Sequence, residues 1–162
     1  MPPCQLPLLI ETLEKLAMTI DTSGKWWKGE DFNDVAEYVK ALTENGYPAT
    51  EVVQAVCICG HTVFRLFADQ YEGCAQKVCA KCGAAAFICD SEDCWGVAKP
   101  KSVRCGCKND TFEVGAGFAF RERRSDVDWI TVAHRCAKCG VLASSVDWKI
   151  SFSPSLHLLT LV

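Results

Sequence analysis

The stretch that decides the fold is Cys136-Ala137-Lys138-Cys139-Gly140, because the chain contains it twice. Its second copy is Cys79-Ala80-Lys81-Cys82-Gly83, and a Cys-x-Cys pair precedes each copy. Two close cysteine pairs supply the four sulfur ligands of one tetrahedral metal site, so the sequence predicts two metal sites in tandem. The predicted ligands are Cys57, Cys59, Cys79 and Cys82 for the first site, and Cys105, Cys107, Cys136 and Cys139 for the second.

The residues between the two cysteine pairs of each site have the length of a β-hairpin. Nineteen residues separate Cys59 from Cys79, and twenty-eight separate Cys107 from Cys136. Each interval therefore predicts two antiparallel strands that leave one cysteine pair and return to the other. Apolar residues in the longer interval alternate with small or polar ones, which is the period of a strand. The second hairpin is predicted to contain Phe112, Val114, Ala116, Phe118 and Phe120, a polar tip over 121–126, and a returning strand with Trp129, Ile130 and Val132.

This arrangement resembles the zinc-ribbon, rubredoxin-like class, in which an antiparallel hairpin joins two cysteine knuckles. The resemblance covers roughly residues 55–150 as two tandem copies. It implies a closed shell of four thiolates around a structural zinc ion in each copy, and so two zinc ions per chain. Iron in a rubredoxin-type site would satisfy the same ligands. The chain departs from the class in its Cys-x-Cys pairs, where the class usually has Cys-x-x-Cys.

Several histidines and cysteines lie outside this pattern. His61, two residues after Cys59, is an alternative ligand of the first site. His134, two residues before Cys136, is expected at the surface, with a role in supporting the metal ligands as the alternative. The remaining four cysteines are interpreted as small core residues or incidental thiols, with a third metal site as the alternative. They are Cys4, Cys74, Cys89 and Cys94.

The residues before the first cysteine pair predict two helices and a strand. Apolar residues at spacings of three and four over 6–20 predict an amphipathic helix. A second helix is predicted from a cap at Asp31 or Asn33 to about Asn45. The β-branched run over 52–58 predicts a strand that leads into the first cysteine pair. The residues expected to face inward from the second helix are Val35, Val39 and Leu42.

The predicted fold class is therefore α+β, with an N-terminal helical segment followed by two tandem antiparallel β zinc ribbons. The predicted domains are 1–50, 51–99 and 100–162. Twelve cysteines would also fit a disulfide framework, but the chain begins without the basic stretch of a secretory signal. We therefore expect a cytoplasmic protein with reduced thiols. No apolar run approaches the about 20 residues needed to span a membrane.

No pattern of catalytic residues accompanies the cysteines. The three histidines fall in no nucleophile, phosphate-loop or HExxH motif, so the sequence predicts no enzyme. Together with the net charge of -3, the absence of catalytic motifs favours a non-enzymatic zinc protein that acts as a protein-interaction module. An inhibitor or immunity protein that neutralises a partner belongs to this class. Because tryptophan and arginine dominate interface energetics, the predicted partner-binding residues are Trp26, Trp27, Arg121, Arg123, Arg124 and Trp129.

The alternative is a nucleic-acid-binding zinc ribbon, associated with transcription or RNA. Basic residues of the second ribbon would track phosphates while its aromatic residues stack on bases. Acidic residues interleaved at Glu122, Asp126 and Asp128 count against this alternative. The residues concerned are Arg121, Arg123, Arg124, Arg135, Lys138, Phe118, Phe120 and Trp129.

Overall fold

The computed structural model describes residues 19–162, which fold into helices packed on an antiparallel sheet. Helix α1 spans Phe32–Thr43, and the single-turn helix α2 spans Glu92–Trp95. The strands are β1 Glu51–Gln54, β2 Val63–Asp69, β3 Cys74–Cys79, β4 Ala85–Phe87, β5 Lys101–Ser102, β6 Phe112–Phe120, β7 Val127–Cys136 and β8 Leu142–Lys149. The helix predicted over 6–20 lies almost wholly outside the described residues.

One continuous sheet contains all eight of these strands. Its main order is β4-β3-β2-β6-β7-β8, with β1 paired to β6 and β5 paired to β2. The hairpins β2–β3 and β6–β7 occupy the two intervals between cysteine pairs, as the spacings predict. They meet where Val63 and Phe64 of β2 pair with Glu113 and Phe112 of β6. The α+β class is confirmed, but the expected separation into two ribbons differs from this single sheet.

Two features join the halves of the chain. Strand β1, which precedes the first cysteine pair, is hydrogen-bonded to β6 of the second hairpin. One apolar core also includes Phe64 and Leu66 from the first hairpin together with Val132 and Trp148 from the second half. A core built from both hairpins favours one sheet because it buries the apolar faces of both. The proposed boundaries after residues 50 and 99 remain predictions.

Helix α1 confirms the predicted cap. The Asp31 side chain accepts a hydrogen bond from the Asn33 N–H at 2.8 Å, which satisfies one free donor of the first turn. Val35 and Val39 are fully buried, as expected. Leu42, which was predicted to face inward, is 51% exposed. It lies at the rim of the helix contact, where it lines a shallow cavity with Trp27.

Strand β6 is buried on both faces, although its sequence predicts only one buried face. Phe112 and Phe118 point into the main core, as the alternation indicates. The opposite face carries Gly115, where an added Cβ would come within 2.7 Å of the Phe32 ring of α1. The glycines of β6 therefore let α1 approach the sheet closely.

The strand predicted over 52–58 is shorter than expected. Strand β1 ends at Gln54, whose partner is Gly115 of β6. The chain then enters the turn that carries the first cysteine pair, which leaves Ile58 97% exposed. The Ala55 N–H still donates to the Val114 carbonyl of β6 at 2.8 Å, but from Cys57 onward the backbone bonds within the cysteine turn. Val56 and Ile58 therefore lie outside the strand.

Candidate metal centres

The structure brings the eight predicted ligands together as two groups of four thiols. Within each group, the four sulfur atoms all lie within 4.8 Å of one another. No third group of this kind occurs among residues 19–162. The first tetrad is Cys57, Cys59, Cys79 and Cys82, and the second tetrad is Cys105, Cys107, Cys136 and Cys139.

The distances within the tetrads fit a tetrahedral ion. The Sγ atoms of Cys57 and Cys82 are 3.5 Å apart, and those of Cys59 and Cys79 are 3.7 Å apart. The corresponding distances in the second tetrad are 3.5 and 3.6 Å. Four sulfurs bound to zinc at about 2.3 Å would be about 3.8 Å from one another. Four thiolates in this arrangement could hold a metal ion, and zinc suits the donor set.

The Cys-x-Cys pairs converge through a tight backbone turn that is the same in both tetrads. In the first, the Gly60 N–H donates to the Cys57 carbonyl and the Cys57 N–H donates to the His61 carbonyl, both at 2.8 Å. Lys108 takes the place of Gly60 in the second turn. Both residues have positive φ, at 84° for Gly60 and 71° for Lys108. A one-residue spacer therefore suffices to point two sulfurs at one centre.

The Cys-x-x-Cys-Gly pairs form a second kind of turn, which follows strands β3 and β7. The Gly83 N–H donates to the Cys79 carbonyl at 3.0 Å, and the Gly140 N–H donates to the Cys136 carbonyl at 2.9 Å. Both glycines have positive φ, 76° and 77°, a conformation that glycine adopts without steric cost. The repeated Gly of the sequence motif thus closes each turn.

The thiols of each tetrad differ in acidity. Burial raises the pKa of Cys79, but backbone N–H groups of its turn outweigh this and lower the pKa to about 6. Burial also raises the pKa of Cys136, but backbone N–H groups of its turn and the Asn109 side-chain amide lower it to about 6. One backbone N–H lowers the pKa of Cys57, but burial and neighbouring thiols raise it to about 12. A bound cation would displace the remaining protons, because metal ligation requires thiolates.

Polar groups around the tetrads can balance thiolate charge. The Lys81 N–H donates to the Cys79 Sγ at 3.4 Å. The side-chain amide of Asn109 donates to the Cys136 Sγ at 3.3 Å and to the Thr111 carbonyl at 2.7 Å. Donors to ligand atoms orient the ligands and tune affinity for the metal. Asn109 was not recognised from the sequence because a lone asparagine after a cysteine pair has no distinguishing pattern.

The alternative ligands are not brought into the tetrads. The first group consists of four cysteines and does not include His61. Cys74 and Cys89 are buried, as their interpretation as core residues predicts. The Cys94 thiol donates to the Ser91 carbonyl at 3.6 Å. Cys4 lies outside the described residues, and Cys74, Cys89 and Cys94 form no metal-binding group within them.

His134 corrects an expectation, because it is 5% exposed rather than at the surface. Its ring packs edge-on against Phe112 at 4.5 Å between centroids. Its Nδ1 lies 2.9 Å from the Ser145 hydroxyl oxygen. Burial lowers the pKa of His134 to about 4. Side chains of both neighbouring strands, Phe112 of β6 and Ser145 of β8, contact the ring, and a period-two pattern on β7 alone could not show these contacts.

The predicted partner-binding residues fall into two places. Trp26 is 60% exposed and lines a cavity beside the second tetrad, and Trp27 packs edge-on against Tyr38. The arginines lie at the far tip of the β6–β7 hairpin. There Arg124 forms two hydrogen bonds of 2.9 Å to the Glu51 carboxylate.

Other side chains at or near that tip also have internal partners. Arg121 donates to the Ile150 carbonyl at 2.6 Å. The Trp129 indole donates to Asp147 at 3.0 Å, and its ring stacks on Tyr47 with centroids 4.4 Å apart. Arg123, by contrast, is exposed, and its backbone has a φ of 56°. The six predicted residues therefore do not form one continuous surface.

No protein-family model, curated protein or solved structure matches this chain. The metal centres are therefore argued from their own geometry. None of the described helices is long and apolar enough to cross a membrane.

Proposed function

We propose that this is a zinc protein with two structural zinc ions, one in each tetrad, arranged as in tandem zinc ribbons. The observation that carries this proposal is the convergence of eight sulfurs into two groups with closest contacts of 3.5 to 3.7 Å. Four thiolates complete a tetrahedral shell and leave no position for a substrate, so the expected role is structural. Apparent binding of about 10–16 kcal/mol per ion would then stabilise the fold.

Metal analysis of the protein purified without added metal tests this proposal. We expect two zinc ions per chain and a colourless solution. Two iron ions and a red colour would instead identify rubredoxin-type sites, which use the same four thiolates. Protein that is fully folded without bound metal would contradict a structural role.

We further propose that the protein acts without catalysis, by binding another protein. Exposed aromatic side chains support this, with Trp26 60% and Tyr71 95% exposed. Large exposed aromatic residues are typical anchors of interfaces. An inhibitor or immunity-type protein that neutralises its partner would work in this way. The alternative of nucleic-acid binding through the second hairpin has less support, because Arg121 and Arg124 already bind groups within the chain.

Affinity capture of the tagged, zinc-loaded protein from lysate of its own organism tests the partner class. We expect one stoichiometric protein that is retained after nuclease treatment. Recovery of nucleic acid, with the proteins lost on digestion, would support the alternative. Capture by a variant with Trp26→Ala, compared with Trp95→Ala, would show whether the exposed tryptophan contributes.

A further inference from the structure

A groove lined by strands β5 and β8 runs past the second tetrad. It consists of two adjoining cavities of about 530 and 550 Å³, which share Arg104, His134 and Ala143. One cavity is lined by β5 and by residues 143–145 of β8. The other extends along the second tetrad to Trp26. We call the whole feature the β5–β8 groove.

The β5–β8 groove concentrates positive charge in a protein whose net charge is -3. One acidic side chain, Asp69, lies on its lining. Backbone N–H groups of Lys99 and Tyr71 donate to this carboxylate at 2.7 and 2.9 Å and lower its pKa, so it stays ionised and offsets part of the positive charge near Lys101. Within residues 19–162, none of the four cations of the groove forms an ion pair within 4 Å. These cations are Lys28, Lys99, Lys101 and Arg104.

Both strands that line the groove have an edge without a partner strand. Among the described strands, β5 pairs with β2 alone and β8 pairs with β7 alone. Just before the groove, the outer edge of β8 does have a partner. Val141 forms an isolated β-bridge with Lys28, and the Leu142 N–H donates to the Trp27 carbonyl at 2.8 Å. This pairing stops as β8 enters the groove. An unpaired edge next to a paired one can accept another extended chain.

The mostly buried His134 also contributes a polar atom to the groove. His134 lines both cavities, and its Nδ1 is paired with the Ser145 hydroxyl. Every fully enclosed side-chain nitrogen and oxygen in the described part of the chain has a hydrogen-bond partner. Because the second ring nitrogen of His134 has none, it must be accessible from the groove. A ligand there could form a hydrogen bond with it.

We propose that the β5–β8 groove binds an extended acidic segment of the partner protein, which adds to the free edge of β8 as a further strand. This inference rests on the proposed protein-binding function. Main-chain hydrogen bonds to β8 would hold the segment, and its carboxylates would face the four cations. Charge alone would also attract single-stranded nucleic acid, but a nucleic acid makes no use of a strand edge.

A synthetic peptide tests the proposal directly. The probe is a fluorescein-labelled peptide of about ten residues with alternating glutamate and threonine, titrated with the zinc-loaded full chain. We expect saturable binding, followed by fluorescence anisotropy, that weakens as salt is added. The double variant Lys101→Ala/Arg104→Ala should bind about tenfold or more weakly. The variant Lys40→Ala/Lys81→Ala removes the same charge from exposed positions that line neither cavity and lie outside β8, and should bind within about twofold of the wild type.

A second probe separates strand pairing from simple attraction of charge. The same peptide, N-methylated at every residue, keeps its carboxylates but has no main-chain donor with which to pair with β8. We expect it to bind about tenfold more weakly. Zinc content and circular dichroism of each variant confirm that the tetrads and the sheet are intact.

Four results would overturn the proposal. They are the absence of saturable binding at low salt, an equal loss in the control variant, unchanged binding of the N-methylated peptide, and tighter binding of an oligothymidylate of equal charge. The last result would assign the groove to nucleic acid. If a captured partner still binds the Lys101→Ala/Arg104→Ala variant at full strength, the protein-binding function holds and the groove is not its site.

Discussion

At the scale of single residues, replacing a ligand cysteine should remove a bound zinc ion, whereas replacing another cysteine should not. Replacement of Cys139 by serine should reduce bound zinc from two ions per chain to one, because three thiolates do not close the shell. Much of the about 10–16 kcal/mol from one ion would be lost with it. Elemental analysis and thermal unfolding measure both effects.

Cys94→Ser is the matched control, because Cys94 is a partly buried thiol outside both tetrads. We expect this variant to retain two zinc ions and to melt near the wild-type temperature. Full zinc content in Cys139→Ser, with unchanged melting, would show that the second tetrad is not a metal site.

Asn109 is a single residue that should affect one site and leave the other unchanged. Its side-chain amide donates to the Cys136 Sγ at 3.3 Å, and alanine removes that donor. We expect zinc affinity at the second site to fall about 10–100-fold, the usual cost of losing a group that supports a metal ligand. Competition with a chromophoric chelator should resolve two zinc-release steps, and only the step from the second site should shift.

The first tetrad supplies the control for this measurement within the same molecule. His61 occupies the position of Asn109 in the first turn, since each accepts the N–H of the first cysteine through its carbonyl. Because the first tetrad consists of four cysteines and does not include His61, His61→Ala should leave zinc affinity at the first site nearly unchanged. A shift of both release steps in Asn109→Ala would mean that the variant destabilises the whole fold.

At the scale of structural elements, the two Cys-x-Cys turns differ in the residue with positive φ. Gly60 has a φ of 84°, whereas Lys108 has a φ of 71° in the equivalent position. An L-residue in the left-handed region costs roughly 1–2 kcal/mol, and the flexibility of unfolded glycine offsets part of any gain. We expect Lys108→Gly to raise the free energy of unfolding by about 0.5–1 kcal/mol in urea denaturation.

Lys138→Gly is the control for this substitution, because Lys138 lies in the neighbouring cysteine turn without positive φ. Glycine at position 138 would only increase the conformational freedom of the unfolded chain, so this variant should be slightly less stable than the wild type. Equal stabilisation by both substitutions would show that loss of a surface cation, rather than relief of the backbone, is responsible.

The elements also show why the sequence predicts some features and not others. The cysteine turns and their hairpins follow from local spacing, since a ligand pair needs a turn and the interval has a hairpin's length. The burial of Gly115 against Phe32, and of His134 between Phe112 and Ser145, depends on contacts between different helices and strands. Local periodicity contains no information about such contacts, so the second buried face of β6 and the burial of His134 were not anticipated.

At the scale of the whole molecule, the sequence predicts the α+β class, helix α1, the two hairpins and the eight-cysteine pattern, but not the joining of the hairpins. The junction rests on two residue pairs between β2 and β6, and on the pairing of β1 with β6. Each is a main-chain contact that places no special demand on the side chains. The repeat in the sequence therefore suggests two equivalent units, although the sheet connects them.

The continuity of the sheet predicts cooperative unfolding. Phe64 and Val132, from different hairpins, share one core, so loss of either zinc site should destabilise both hairpins. We expect the zinc-loaded protein to unfold in a single calorimetric transition whose van't Hoff and calorimetric enthalpies agree. In Cys139→Ser, hydrogen exchange should accelerate in β2 and β3 as well as in β6 and β7. Two transitions, with the first hairpin unaffected by Cys139→Ser, would instead establish independent ribbons with a boundary near residue 99.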